Sequence, residues 1–275
     1  MKYDLSLLLA GTIMLAKEAG DQIMEVYNRG FSVQEKRDSS FLTEADMAAH
    51  AVIDDGLELL APELPVLSEE SSSIPFEYRA LWDAYWLVDP LDGTAEFVNH
   101  NAEFCVNIAL IEQHQAVLGV VYAPALQLCY YAARGQGAFK QKGQLPPTAI
   151  TVRSPCPERV TVVAGNMTST EVLEQFLKNI GNYKLQAMGS ALKSCLVAEG
   201  RADIYPRLGP TSEWDTAAAQ CIVEEAGGFL TTTDLKPMRY NTKAELLNPH
   251  FFVYGDNKIK WNRYLQGSES VLRRS

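Results

Sequence analysis

Apolar residues recur every three to four positions in two long stretches near the start of the chain, residues 5–27 and 45–60. This period matches the turn of an α-helix, so both stretches predict amphipathic helices with one buried face. Thr43 followed by Asp46 is a capping box for the second helix, with Asp in place of the usual Glu. Pro62 predicts the end of that helix.

Short runs rich in β-branched and aromatic residues follow, and they predict strands. These runs are 65–67, 86–88, 106–111, 116–122 and 128–133. The polar residues 112–115 between two of the runs predict a hairpin turn. The first half of the chain is therefore expected to be two helices followed by a mainly antiparallel sheet.

From about residue 151 predicted strands alternate with predicted helices. The strands are 160–164, 183–188 and 202–205, and the helices are 170–179, 190–199 and 215–226. Alternation of this kind indicates an α/β layer. The expected fold class is α/β, with an α+β N-terminal lobe over residues 1–150 and an α/β C-terminal lobe over residues 151–275. The lobes are expected to pack closely, because no flexible linker separates them.

Composition and charge narrow the class of protein. The 275 residues are 47% hydrophobic and 21% charged, and the net charge is -10. An acidic chain without a Lys/Arg cluster is a poor binder of long nucleic acid, whereas local cations still allow a small anionic substrate. No apolar stretch approaches the roughly 20 residues that span a bilayer, so no transmembrane segment is expected.

The cysteines bear on the compartment. The chain has five, an odd number, at dispersed positions and without a C-x-x-C pair. Free thiols of this kind are typical of a reducing compartment, so we expect a cytoplasmic protein. The Leu-rich first helix leaves open a peripheral position on the cytoplasmic face of the inner membrane. A homodimer is also left open.

Acidic residues stand at the ends of several predicted elements. The stretch Asp89-Pro90-Leu91-Asp92-Gly93-Thr94 follows a strand, and its two carboxylates repel each other unless a cation lies between them. Asp46, Glu69 and Asp215 stand at three further boundaries. Each site has a plain structural alternative, an acidic turn for the stretch and helix capping for Asp46 and Asp215.

Together these residues supply hard oxygen ligands and little else, a set that suits magnesium. Two such ions, about 4 Å apart, clamp a phosphate and activate water for direct attack. The sequence contains no Walker lysine motif, no G-x-S-x-G and no Cys/His nucleophile arrangement. Phosphate ester hydrolysis by activated water is the reaction that remains.

Three motifs resemble those of the inositol monophosphatase-like superfamily of lithium-sensitive, magnesium-dependent phosphatases. They are Ser68-Glu69-Glu70-Ser71, Asp89-Pro90-Leu91-Asp92-Gly93-Thr94 and Trp214-Asp215. They fall in the superfamily's order, and the resemblance extends over essentially the whole chain. It implies an αβαβα layered sandwich.

The resemblance also implies a role for each acidic residue. Glu69, Asp89 and the backbone carbonyl of Leu91 would hold a first metal ion. Asp89, Asp92 and Asp215 would hold a second, so that Asp89 bridges the two. Two or three Mg²⁺ ions per active site are expected.

Catalysis and substrate binding follow from the same resemblance. Thr94, hydrogen-bonded to Asp46, would orient and activate the attacking water. The residues expected to border the substrate are Glu69, Leu91, Asp92, Gly93, Thr94, Ser190, Lys193, Arg207 and Asp215.

The second half of the chain bears on which phosphate ester is cleaved. Gly189-Ser190-Ala191-Leu192-Lys193 and Tyr205-Pro206-Arg207 resemble the CysQ-type 3'(2'),5'-bisphosphate nucleotidases. In inositol phosphatases the position matching Arg207 is typically acidic, whereas a cation suits a second phosphate. Lys193 lies one predicted helical turn after Ser190, so both would face one ligand. The expected reaction converts 3'-phosphoadenosine 5'-phosphate to AMP and phosphate, within sulfur metabolism.

Several alternatives stay open at the level of the sequence. Lys193 also fits a solvated helix residue, and Arg207 also fits an ordinary loop cation. Ala95 departs from relatives that often carry Lys or Thr after the Gly-Thr pair, although it is not an expected ligand. The alternative functions are an inositol or sugar monophosphatase and, in a different class, a catalytically silent phosphate-binding protein.

Overall fold

The computed structural model describes residues 3–30, 33–35, 41–165 and 170–267. The chain forms two large β-sheets with helices packed on their faces. A separate antiparallel pair joins β1 (Val33–Glu35) to β2 (Phe41–Thr43). No helix among these residues is both long and apolar enough to cross a membrane.

The two amphipathic helices predicted from the periodicity are confirmed. They are α1 (Leu5–Arg29) and α2 (Glu44–Leu60). The capping box before α2 is also confirmed, because Asp46 Oδ2 accepts the Thr43 N–H at 2.7 Å. The segment that follows contains a 3-10 turn and a short helix, Glu69–Ser71 and α3 (Phe76–Arg79).

The first large sheet has seven strands that pair in chain order. They are β3 (Val66–Ser68), β4 (Ala84–Asp92), β5 (Cys105–Glu112), β6 (Gln115–Ala123), β7 (Leu128–Ala133), β8 (Ala138–Lys142) and β9 (Thr148–Ile150). β3 is parallel to β4 and the remaining pairs are antiparallel, as expected. The sequence pattern did not predict β8 and β9, whose residues are mostly half-buried or exposed and are held by pairing to the neighbouring strand.

The second large sheet is mixed and has the strand order β11-β10-β12-β14-β13. Its strands are β10 (Val160–Ala164), β11 (Tyr183–Ala187), β12 (Ile204–Arg207), β13 (Phe229–Thr232) and β14 (Phe251–Tyr254). The helices of this half are α5 (Glu171–Ile180), α6 (Leu192–Ala198) and α7 (Ala217–Glu225). Two 3-10 turns, Glu213–Asp215 and Trp261–Leu265, complete it, and the short α4 (Thr94–Val98) belongs to the first half.

The core consists of three apolar clusters that alternate with the sheets. On β4, Trp86 and Val88 pack with residues of α1 and α2, whereas Tyr85 and Leu87 face a cluster that contains α6, α7 and one side of the second sheet. A third cluster lies between the other side of the second sheet and α5. The layer order is helices, sheet, helices, sheet, helix, which confirms the αβαβα sandwich.

Three predicted boundaries differ from the structure near the expected site. β4 continues through Asp92, because its pairing with β5 resumes after an irregular step that begins at Asp89. Ser190 lies outside α6 and has a left-handed φ of 48°. Asp215 ends a 3-10 turn instead of beginning α7. The division of the chain at residue 150 into two lobes stays a prediction.

Candidate active site

A cavity of about 370 Å³ lies where the ends of β3 and β4 meet the 3-10 turn before α7. The five residues expected to bind metal all line it: Glu69, Asp89, Leu91, Asp92 and Asp215. Three segments that are far apart in the sequence therefore meet at one place. We call this space the carboxylate cavity.

The irregular step in β4 explains how Asp89 and Asp92 reach the same cavity. In a regular strand, residues three positions apart point to opposite faces of the sheet. The register of β4 against β5 shifts between Asp89 and Asp92, and such an irregularity redirects side chains. Gly93 follows with a left-handed φ of 88°, and a Cβ added there would lie 3.2 Å from Glu96 Oε2.

The electrostatics of the cavity are those of carboxylates crowded together. Asp89 is 1% exposed, and its Oδ1 accepts the Leu91 N–H at 3.0 Å. Burial raises the pKa of Asp89 well above its usual range, and the charges of Glu69, Asp92 and Asp215 raise it further. An unscreened set of this kind is stabilised by a cation.

Asp215 responds to the same surroundings. Burial first, and then the charge of Asp92, raise the pKa of Asp215 to about 8. The N–H of Ser212 donates to Asp215 Oδ2 at 2.9 Å, and the charge of Arg207 lowers the pKa in part. Four carboxylates and one carbonyl are the oxygen donors that a hard divalent cation prefers, so the donor set fits magnesium.

The carboxylates do not form a ready-made metal cage. Within the described ranges, no group of three or more His, Cys, Asp and Glu side chains is placed to hold an ion by itself. Magnesium usually takes several of its ligands from water, so a complete cage of side chains is not required. The donor set fits magnesium through its hard oxygen atoms and through the cavity that its members share.

Asp92 is held by three donors that converge on its Oδ2. They are the Ala191 N–H at 2.6 Å, Asn107 Nδ2 at 3.2 Å and Cys105 Sγ at 3.7 Å. Sequence reasoning did not assign this role to Asn107 or Cys105. The available signal was their spacing, since alternate residues of β5 face the same side and lie opposite the end of β4.

The hydrogen bond expected between Thr94 and Asp46 is replaced by two other contacts. The Thr94 hydroxyl donates to the Leu91 carbonyl at 3.2 Å, because a threonine in the first turn of a helix readily bonds a carbonyl three residues back. Asp46 Oδ2 accepts the N–H and the hydroxyl of Thr43, both at 2.7 Å. Thr94 lines the carboxylate cavity, and the catalytic roles of both residues stay predictions.

A second cavity of about 340 Å³ adjoins the first, and we call it the cationic cavity. It is lined by Ser190, Lys193 and Arg207, the three further residues expected to border the substrate. The residues common to both cavities are Asp92, Gly93, Thr211 and Asp215. The two spaces are therefore contiguous, and the predicted substrate residues line one continuous site.

Lys193 is buried, so the interpretation of it as a solvated helix residue is wrong. It is 8% exposed, and its Nζ lies 5.5 Å from the centre of the Tyr205 ring. Burial raises the pKa of Glu96, which also lines this cavity, and the charge of Lys193 lowers it. Ser190 borders the same cavity through its left-handed backbone and not through helical spacing, because it precedes α6.

Arg207 ends strand β12, so it is not an ordinary loop cation. Its Nη2 donates to the Pro210 carbonyl at 2.6 Å. Its Nε is buried and has no hydrogen-bond partner in the part of the chain that the structure describes, and the same holds for the Thr211 hydroxyl. A buried donor without a partner costs about 1–3 kcal/mol. Sequence reasoning missed Thr211, which carries no motif of its own.

Known proteins match this chain over most of its length. The model of the inositol monophosphatase family matches residues 4–266. The 3'(2'),5'-bisphosphate nucleotidase CysQ of Salmonella typhimurium is 47% identical over 248 residues, which cover 90% of this chain and 99% of that protein. The protein of the same name from Haemophilus influenzae is 38% identical over 262 residues, covering 94% and 97%.

Solved structures match as well. The crystal structure of CysQ from Bacteroides thetaiotaomicron, a bacterial member of the inositol monophosphatase family, gives a TM-score of 0.81 at 37% identity. It covers 92% of this chain and 98% of its own. An IMPase from Thermotoga maritima gives a TM-score of 0.78 at 26% identity and covers 96% and 97%.

Proposed function

The chain belongs to the inositol monophosphatase family, and we propose that it is a magnesium-dependent 3'(2'),5'-bisphosphate nucleotidase. It hydrolyses 3'-phosphoadenosine 5'-phosphate to AMP and phosphate. The observation that carries the proposal is the contiguity of a carboxylate cavity with a cavity that holds Lys193 and Arg207. Relatives between 38% and 47% identical are named for this activity.

Membership of this family supports a bound metal ion in the chain, and we propose that the carboxylate cavity holds it. Members of the family are metal-dependent phosphatases, generally with Mg²⁺. We assign Glu69, Asp89 and the Leu91 carbonyl to one ion. Asp89, Asp92 and Asp215 are assigned to a second, and the total of two or three ions is part of the proposal. When bound, magnesium supplies positive charge that stabilises the transferred phosphoryl group and lowers the pKa of nearby water.

The protein's own groups orient the reaction. Three donors hold Asp92 Oδ2, and Asp92 lines the carboxylate cavity. The Thr94 hydroxyl oxygen accepts a hydrogen bond from the attacking water, and its own hydrogen is donated to the Leu91 carbonyl. Gly93 lines both cavities, and we assign its backbone N–H as a donor to the phosphate.

The cationic cavity accounts for the second phosphate. Lys193 and Arg207 are the two cations among its lining residues; Lys193 is buried, and Arg207 is half-buried with a buried Nε. An anion bound between them offsets the desolvation of the Lys193 ammonium and gives the buried Arg207 Nε an acceptor, whereas the hydroxyls of a neutral sugar do not offset a buried charge. This favours a bisphosphate over the alternative of an inositol or sugar monophosphate.

One assay compares the functions. Phosphate release is measured from 3'-phosphoadenosine 5'-phosphate and from inositol 1-phosphate, with Mg²⁺ and with EDTA. Asp92→Asn should lose several orders of magnitude in rate. Arg207→Glu should mainly raise the KM for the bisphosphate, because Arg207 lines the cationic cavity and not the carboxylate cavity.

The matched control is Arg159→Glu, which makes the same change of charge at an exposed arginine outside both cavities. Preference for inositol 1-phosphate would contradict the nucleotidase. Full activity of Asp92→Asn would contradict the metal assignment, and release from neither ester would favour a silent binding protein. The cytoplasmic location, the peripheral membrane position and the homodimer stay predictions.

A further inference from the structure

The turn that carries Asp215 is held from outside by residues 241–248, which we call the bracing segment. The side-chain amide of Asn248 makes two contacts with that turn. Its Nδ2 donates to the Ser212 carbonyl at 2.6 Å and to the Thr216 hydroxyl at 3.0 Å. These two partners lie on either side of Asp215 in the chain, so one side chain spans the turn.

The backbone of the bracing segment adds further contacts. The Asn248 N–H donates to the Thr211 carbonyl at 2.8 Å. The N–H of Glu213 donates to the Leu246 carbonyl, and the N–H of Asn241 donates to Glu213 Oε2, both at 2.8 Å. The segment therefore follows the turn along its length.

The contact at Ser212 connects the bracing segment to Asp215. The Ser212 carbonyl accepts from Asn248, and the Ser212 N–H donates to Asp215 Oδ2 at 2.9 Å. We propose that Asn248 is a positioning residue for Asp215. It acts through Ser212, which holds Asp215 Oδ2, and so orients Asp215 Oδ1 toward the carboxylate cavity. Loss of a partner that orients a metal ligand typically lowers metal affinity or activity by about 10–100-fold. The inference rests on the proposed role of Asp215 as a metal ligand.

Asn248→Asp is the sharpest substitution. It keeps the shape of the side chain, removes both N–H donors and places a carboxylate against the Ser212 carbonyl. The chain offers a matched control in Asn179, whose Nδ2 likewise donates to two acceptors, the carbonyls of Tyr264 at 2.9 Å and Gln266 at 3.0 Å. Asn179 is exposed and lines neither cavity, so Asn179→Asp loses the same type of contact elsewhere.

The readout is terbium binding to the full chain without substrate. Tb³⁺ takes oxygen ligands, and its emission can be excited through Trp214, which lines the carboxylate cavity. Asn248→Asp should raise the Tb³⁺ concentration for half-saturation about 10–100-fold, with Asn179→Asp unchanged. In steady-state assays the Mg²⁺ activation constant should rise in proportion, while the KM for the bisphosphate stays unchanged.

Equal terbium affinity in Asn248→Asp and the wild type would overturn the inference. Asn248→Ala makes the same test without an added charge if the Asp variant does not fold. Asp215→Asn separates this inference from the proposed function. If Asp215→Asn leaves terbium affinity unchanged, the ligand role of Asp215 fails. If it weakens binding and neither variant of Asn248 does, only the positioning role fails.

Discussion

Replacing Lys193 by Met removes one of the two cations of the cationic cavity and keeps an unbranched side chain of similar length. The lysine is 8% exposed, and its Nζ lies 5.5 Å from the centre of the Tyr205 ring. Its charge also lowers the pKa of Glu96 across the cavity. The change therefore removes a buried charge without leaving a large void.

The expected size follows from the type of contact that is lost. A hydrogen bond to a charged group contributes about 1.5–3 kcal/mol. At about 1.4 kcal/mol per factor of ten, the KM for 3'-phosphoadenosine 5'-phosphate should rise roughly 10- to 140-fold. The kcat should change less, because Lys193 lines the cationic cavity and not the carboxylate cavity. Stability should not fall, since burial of an ammonium is costly and burial of a thioether is not.

The assay pairs the variant with a substrate that lacks the second phosphate. Phosphate release from 3'-phosphoadenosine 5'-phosphate and from adenosine 3'-phosphate, in the wild type and Lys193→Met, forms a double-mutant cycle. The variant should lose affinity for the bisphosphate alone. The control is Lys184→Met, at an exposed lysine of β11 outside both cavities. An equal rise of KM with both substrates, or no rise with the bisphosphate, would refute the contact between Lys193 and the second phosphate.

Three further predictions test the core, the metal and the thiols. A Cβ at Gly119 would lie 2.1 Å from the Ala218 carbonyl oxygen. Gly119→Ala should therefore lower the free energy of unfolding, measured in urea, by about 3 kcal/mol. An unchanged midpoint of urea unfolding would contradict the close approach of Gly119 to Ala218. Mg²⁺ should raise the Tm of the wild type relative to EDTA, because it offsets the repulsion among the carboxylates of the cavity. The rise should be smaller in Asp215→Asn, and equal rises in Tm would argue against Asp215 as a metal ligand. Burial first, and then the charges of Asp203 and Asp256, raise the pKa of the half-buried Cys156 to about 12. At pH 8 its thiol should therefore stay protonated and react slowly with Ellman's reagent until the protein unfolds, and fast reaction of the native protein would contradict this.

Secondary structure could be predicted where neighbouring residues alone form a helix or strand and mark its ends. The periodicity of α1 and α2, the Thr43–Asp46 capping box and the limits of β7 needed only neighbouring residues. β9 and β13 were not predicted, because each is held by pairing with a neighbouring strand and not by a local pattern. The extension of β4 to Asp92 likewise depends on its partner strand.

The oxygen donors of the site and the order of their motifs could be read from residue type and spacing alone. How these donors are held depends on tertiary packing. Tertiary packing buries Lys193, brings the Ala191 N–H into hydrogen bonding with Asp92 Oδ2, and brings Asn248 into contact with the turn that contains Asp215. Contacts between residues far apart in the chain depend on how the layers pack, and the spacing of neighbouring residues does not predict that packing.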